Sequence, residues 1–86
     1  MYTVLLTPRA QKDLSRLPGD IQARLWERLK ALAHTPRPHG VKKLQGRGNL
    51  YRVREGAYRI IYTIRDLELI VLVVDIRHRR EVYRSR

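Results

Sequence analysis

Leu50-Tyr-Arg-Val-Arg-Glu-Gly-Ala-Tyr-Arg-Ile-Ile-Tyr-Thr-Ile64 is the stretch whose reading decides the fold of this chain. Apolar and aromatic residues alternate with arginines on either side of Glu55-Gly56, the period-two pattern of strands with one buried and one exposed face. The stretch predicts a β-hairpin. With Glu55 and Gly56 as turn residues, Arg54 lies opposite Ala57, Val53 opposite Tyr58 and Arg52 opposite Arg59. Tyr51, Val53, Tyr58, Ile60, Tyr62 and Ile64 then share the core face, and Arg52, Arg54 and Arg59 share the other. Arginines placed directly across two strands repel, so their convergence calls for an anion between them. Phosphate suits the planar guanidinium fork. A solvated strand face accounts for any one of these arginines; their grouping on one face favours a site.

Upstream, Tyr2-Thr-Val-Leu-Leu-Thr7 alternates as a strand, and Thr7-Pro8 opens a helix, threonine as cap and proline at the first helical position. Ala10, Leu14 and Leu17 make its apolar stripe, and Pro18-Gly19 ends it. Asp20 is expected to cap a second helix, whose stripe is Ile21, Leu25, Leu29 and Leu32, with Trp26 beside it at the core edge or a partner contact. Two prolines in Thr35-Pro-Arg-Pro-His-Gly40 stop that helix. The loop is expected to continue through Val41-Lys-Lys-Leu44 to Asn49. After the hairpin, Leu69-Ile-Val-Leu-Val-Val74 lacks alternation and predicts a central strand covered on both faces. The charged segment from Asp75 is expected to leave the sheet there, with Glu81-Val-Tyr-Arg84 as a last extended piece. The order predicts an α+β fold, a helical hairpin packed on a small, mainly antiparallel four-stranded sheet in the order β-α-α-β-β-β.

The 86 residues make one small domain with a thin core. Nineteen lysines and arginines against eight carboxylates leave a net charge of +11, with arginine the commoner cation. That surplus points to phosphate-bearing polyanions, and Lys42, Lys43, Arg47, Arg80 and Arg84 extend it beyond the hairpin as RNA contacts. The absence of cysteine removes disulfides and thiol chemistry and suits a reducing cytoplasm. The longest apolar run is far short of the roughly 20 residues of a membrane helix. His34, His39 and His78 have no metal-ligand spacing and the carboxylates are few and scattered, which argues against metal catalysis.

What remains for chemistry is Arg52, Arg54 and Arg59 on the hairpin, with Arg77, His78, Arg79 and Tyr83 towards the C-terminus. The set suits metal-free cleavage of RNA. The 2′-hydroxyl loses a proton as it attacks the adjacent phosphate, the phosphorane gains charge that arginines stabilise, and the departing 5′-oxygen takes a proton. Arginine is a poor base, whereas histidine's intrinsic pKa of about 6.5 suits proton transfer, so His78 is the first candidate. Tyr83 would bond the 2′-oxygen, share the acid–base work or stack on a base.

Val41-Lys-Lys-Leu44, Leu50-Tyr-Arg-Val-Arg54, Gly56-Ala-Tyr-Arg-Ile-Ile-Tyr62 and His78-Arg-Arg-Glu-Val-Tyr-Arg84 together resemble the RelE family of bacterial and archaeal toxins, over nearly the whole chain. The resemblance implies a ribosome-dependent endoribonuclease that cuts mRNA in the decoding site, inhibits translation, uses no cofactor and is neutralised by a cognate antitoxin. It implies that Arg59 is the phosphate-stabilising arginine, that Arg77 or Arg79 is the second arginine, and that Tyr83 is the C-terminal catalytic or stacking tyrosine. Arg52 and Arg54 stand where some members carry lysines, which leaves the general base open. The alternatives are a ParE-like toxin, which shares the fold but inhibits DNA gyrase and cuts no RNA, and a plain nucleic-acid-binding domain.

Overall fold

A computed structural model describes residues 1–44, 49–78 and 80. The elements are β1 (Thr3–Leu6), α1 (Pro8–Ser15), α2 (Gly19–His34), β2 (Lys42–Lys43), β3 (Leu50–Glu55), β4 (Tyr58–Arg65) and β5 (Ile70–His78). One sheet runs in the order β1-β5-β4-β3-β2, with β1 parallel to β5 and the other pairs antiparallel. Both helices bury their stripes on one face of it. Ala10 and Leu14 of α1 and Leu25, Leu29 and Leu32 of α2 join Tyr51, Val53, Ile60, Tyr62, Ile64, Val71, Val73 and Ile76 in a single core. Leu25, Ile60, Tyr62, Val71 and Val73 are wholly inaccessible. The α+β class and the mainly antiparallel sheet are as expected; the number of strands is not.

The fifth strand is β2. Lys42 and Lys43 pair with Arg52 and Tyr51 where a loop was expected, because two residues between flanking prolines and glycines are too short to announce a strand. Asp20 is not a cap either. α2 begins two residues earlier, with Pro18 in the cap position and no side-chain cap bond, so Asp20 lies in the first turn, where its charge complements the helix dipole. Thr7 does cap α1: its Oγ1 accepts from the Ala10 N–H at 3.2 Å, and Pro8 follows.

The hairpin forms in a different register from the one anticipated. Its turn is Gly56-Ala57, which sets Glu55 opposite Tyr58, Arg54 opposite Arg59, Val53 opposite Ile60 and Arg52 opposite Ile61. A Glu55-Gly56 turn of the common type I′ would force glutamate to positive φ. Moving one residue on puts the left-handed position on Gly56, at φ 61°, as a type II′ turn requires. The shift is by two positions in pairing, so the faces are preserved and only the partners change.

β5 also departs from expectation. It runs on through His78 instead of leaving the sheet at Asp75. Its pairing with β4 jumps between Ile61, opposite Asp75, and Tyr62, opposite Val73, so that Val74 is the extra residue of a β-bulge. Before the bulge, Val71 and Val73 face the core; after it, Ile76 does, and Asp75 and Arg77 turn to the other side. The strand is interior, yet Ile70, Leu72 and Val74 are only half-buried, so one face is left without a covering layer. β1 ends at Leu6, and α1 shields the edge of β5 beyond it. Thr7 bonds the Val73 carbonyl through its N–H and the Val74 carbonyl through its hydroxyl, and the Ile76 N–H donates to Asp13 Oδ2 at 3.3 Å.

The loop after α2 is tied to the end of the sheet by a polar latch. The Arg37 guanidinium donates to both Asp66 oxygens, at 3.2 and 3.0 Å, and the Tyr2 hydroxyl donates to Asp66 at 2.6 Å. Arg37 also lies over the Tyr51 ring, 5.3 Å from its centroid, and Tyr51 stacks on Tyr62. The buried Tyr62 hydroxyl donates to the Pro36 carbonyl at 2.7 Å, and burial raises its pKa to about 12. Bonds from Arg37 and then Tyr2 hold the Asp66 carboxyl down to about 2, from an ordinary 3.8. A carboxyl depressed in the folded state stabilises it above the unfolded value and ceases to do so as pH falls through the folded one. The melting temperature of the protein should therefore exceed that of Asp66→Asn by a constant margin above about pH 5, and the margin should close between about pH 4 and pH 2. Melting curves across that range check this; a margin that persists at pH 2 would remove the latch.

Candidate phosphate site on the open face of the sheet

With the helices on one face, the pleat leaves alternate residues of β3, β4 and β5 on the other. Arg54 lies opposite Arg59, and Arg59 opposite Arg77, so three arginines form one row across three adjacent strands. The next row is Lys42, Arg52, Ile61 and Asp75. Pairs of like charge directly across strands each cost about 0.2–1 kcal/mol. The row therefore stands against its own repulsion.

Arg59 is its centre. Its Nε is buried and makes no hydrogen bond among the described residues. Arg28 Nε and Asp75 Oδ1 share that condition, but each has an opposite charge close by, Glu55 at 3.9 Å and Arg9 at 3.6 Å. Arg59 has no such ion pair among the described residues. A buried cationic donor without an acceptor costs more than a neutral one, and an anion's oxygen laid along the row would satisfy it.

The expected site residues separate as follows. Arg54, Arg59 and Arg77 come together, with Arg52 and Lys42 in the adjoining row. Lys43 alternates to the opposite face, opposite Tyr51. His78 also alternates away from the row. It lies opposite Tyr58, meets that ring edge-on at 5.1 Å, and accepts from the Arg80 N–H through Nδ1 at 3.1 Å. Arg80 is exposed just beyond β5. Arg47, Arg79, Tyr83 and Arg84 lie outside the described residues. Among the described residues no three histidine, aspartate or glutamate side chains gather as metal ligands, and no helix is long and apolar enough to cross a membrane.

Asp75 was missed by sequence reasoning. It is the buried charged residue of this region, 8% exposed, and its Oδ2 accepts from Arg77 Nε at 2.5 Å. A carboxylate two residues before an arginine was a visible signal, but it is informative only once both are known to share a strand face. A second surface feature lies at the other edge of the sheet. A shallow groove of about 800 Å³ runs beside β1, lined by Val4, Leu6, Leu14, Leu72 and the exposed Trp26. Trp26 lines it from α2, 44% exposed beside the buried stripe.

Residues 4–83 match the family model described as the ParE toxin of type II toxin–antitoxin systems, parDE. Toxin RelG of Mycobacterium tuberculosis is 32% identical over 84 residues, covering 96% of this chain and 97% of that protein. Among solved structures, the archaeal RelE–RelB complex from Pyrococcus horikoshii contains a chain with a TM-score of 0.80 and 31% identity, covering 91% of this chain and 94% of that one. The toxin–antitoxin complex RelBE2 from Mycobacterium tuberculosis gives 0.81 and 32%, covering 90% and 96%. A two-helix layer on a mixed sheet with a basic open face thus defines a toxin of type II toxin–antitoxin systems. The chain belongs to the RelE family of those toxins.

Proposed function

We propose that residues 1–86 form one toxin domain that acts in the cytoplasm as a ribosome-dependent endoribonuclease, cutting mRNA and so inhibiting translation. The observation that carries this reading is the Arg54–Arg59–Arg77 row, with the buried Nε of Arg59 at its centre lacking a hydrogen-bond partner among the described residues. The 2′-hydroxyl attacks the adjacent phosphate, the bond to the 5′-oxygen breaks, and a 2′,3′-cyclic phosphate and a 5′-hydroxyl result. Arg59 and Arg77 stabilise the charge that accumulates on the phosphorane oxygens. Arg52 and Arg54 hold the flanking phosphate, and Lys42, Lys43, Arg47, Arg80 and Arg84 contact the RNA backbone of message and ribosome. Proton transfer falls to His78 and Tyr83 at the C-terminal end, with Arg79 a further cation for the phosphorane. Because alternation keeps His78 off the arginine face, Tyr83 is the residue to test first.

Two solved relatives are held in complex with an antitoxin, and a cognate antitoxin is the partner we assign to this chain. The net charge of +11 favours an acidic one, and the groove beside Trp26 offers an apolar seat. Mapping mRNA 5′-ends in a purified translation system tests the activity: cuts that appear only with ribosomes support it. The matching family model is named for ParE, which favours gyrase inhibition as the second reading. Loss of DNA supercoiling activity with intact message would establish it, and binding of nucleic acid with neither effect would leave a plain binding domain.

The described residues hold no ligand cluster, so catalysis is assigned to side chains alone. Toxin treated with chelator and freed of it before meeting ribosomes should cleave at the untreated rate. A rate recovered only on adding back a divalent metal to the toxin would end this mechanism.

A further inference from the structure

We infer that Asp75 is a positioning residue for Arg77, tethering its guanidinium in the arginine row from a carboxylate braced by α1. The inference rests on the ribonuclease reading for its catalytic consequence, though the tether itself can be observed without it. Arg77 faces Arg59 across the strands, and a long flexible cation beside a like charge swings towards water unless something holds it. Asp75 Oδ2 holds it through Nε at 2.5 Å. The carboxylate is held in turn. It is 8% exposed, its Oδ1 lies 3.6 Å from Arg9 Nε, and Asp13 stands beside it while accepting the Ile76 N–H. Burial raises the pKa of Asp13, the Ile76 bond opposes the rise, and the nearness of Asp75 adds to it.

An ordinary surface ion pair would not need the backbone irregularity found here. Without the bulge at Val74, the alternation of Val71 and Val73 would carry Asp75 and Arg77 into the core and put Ile76 outside. The extra residue delivers both charges to the arginine face together, as bulges beside functional sites re-aim side chains.

Asp75→Asn keeps the shape and removes the charge. In the unaltered protein the Arg77 Nε–H should give a resolved, slowly exchanging NMR signal at neutral pH, and in Asp75→Asn that signal should broaden or vanish. Single-turnover cleavage at saturating toxin should fall about 10–100-fold with the half-saturating concentration unchanged, since misplacing a group by about 1 Å commonly costs that much. Added to Arg77→Ala, the same substitution should cost nothing more. Should Asp75→Asn fail to fold, Arg9→Gln removes the outer brace from a side chain 66% exposed and should show the same coupling with a smaller loss. An unchanged Nε–H signal, or a loss of equal size with and without Arg77, overturns the inference. If the unaltered protein cuts no message at all, the ribonuclease reading and the catalytic consequence fall together, and the Nε–H signal still decides whether Asp75 holds Arg77.

Discussion

Replacing Arg59 with alanine should lower single-turnover cleavage on the ribosome by about 10²–10³-fold and leave the folded state as stable as before, or slightly more so. Arg59 sits between Arg54 and Arg77 in the sheet, so its removal relieves two like-charge pairs at once, each worth about 0.2–1 kcal/mol. It also removes a buried Nε that has no acceptor among the described residues. Nothing in the described structure depends on that guanidinium for a hydrogen bond or ion pair. On the ribosome the balance reverses. In the cleavage we propose, the phosphorane would develop its charge along the row, where one preorganised cation is worth about 3–4 kcal/mol of transition-state stabilisation. The measurement is paired: urea midpoint and cleavage rate for the same variant. Cleavage at the normal rate in a protein that unfolds more easily would make the arginine structural and remove the site.

Leu25→Ala should cost about 2–5 kcal/mol of stability. Leu25 is wholly buried in the middle of α2, against the sheet. Deleting its terminal carbons loses their transfer free energy and leaves a cavity that a thin two-layer core closes poorly. Against a total of about 5–15 kcal/mol, the remaining stability would be small. Its neighbour supplies the control. Trp26 is larger but 44% exposed, and Trp26→Ala should move the urea midpoint much less. If the two variants unfold at the same denaturant concentration, α2 does not pack by the face described.

Much of this architecture is written in local patterns. The stripes of α1 and α2, the threonine and proline that open α1, and the alternation of Tyr51 to Ile64 each follow from neighbours a few residues apart, and each appears in the structure as expected, except that α1 ends at Ser15 and leaves Leu17 beyond it, partly buried against the core. So does the sharing of one face by Arg52, Arg54 and Arg59, because alternation decides faces whatever the register. The same rule placed Tyr51, Val53, Ile60 and Tyr62 in the core.

Partners were another matter. Glu55-Gly56 and Gly56-Ala57 turns give the same faces, and only the cost of positive φ at glutamate selects the second, making Arg54 and not Arg52 the partner of Arg59. Two lysines became a strand because β3 offered them an edge, which no local pattern records. The bulge at Val74 was invisible in a run of six apolar residues, since a strand without alternation carries no phase to reveal a slip. Yet that slip settles where Asp75, Arg77 and His78 point. The sequence by itself determined the layers, the charge and the arginine face. Tertiary packing of β5 between β1 and β4, with α1 closing its edge, decided which arginines meet and which carboxylate stands behind them, because register and bulges are set by contacts between strands that are distant in the chain.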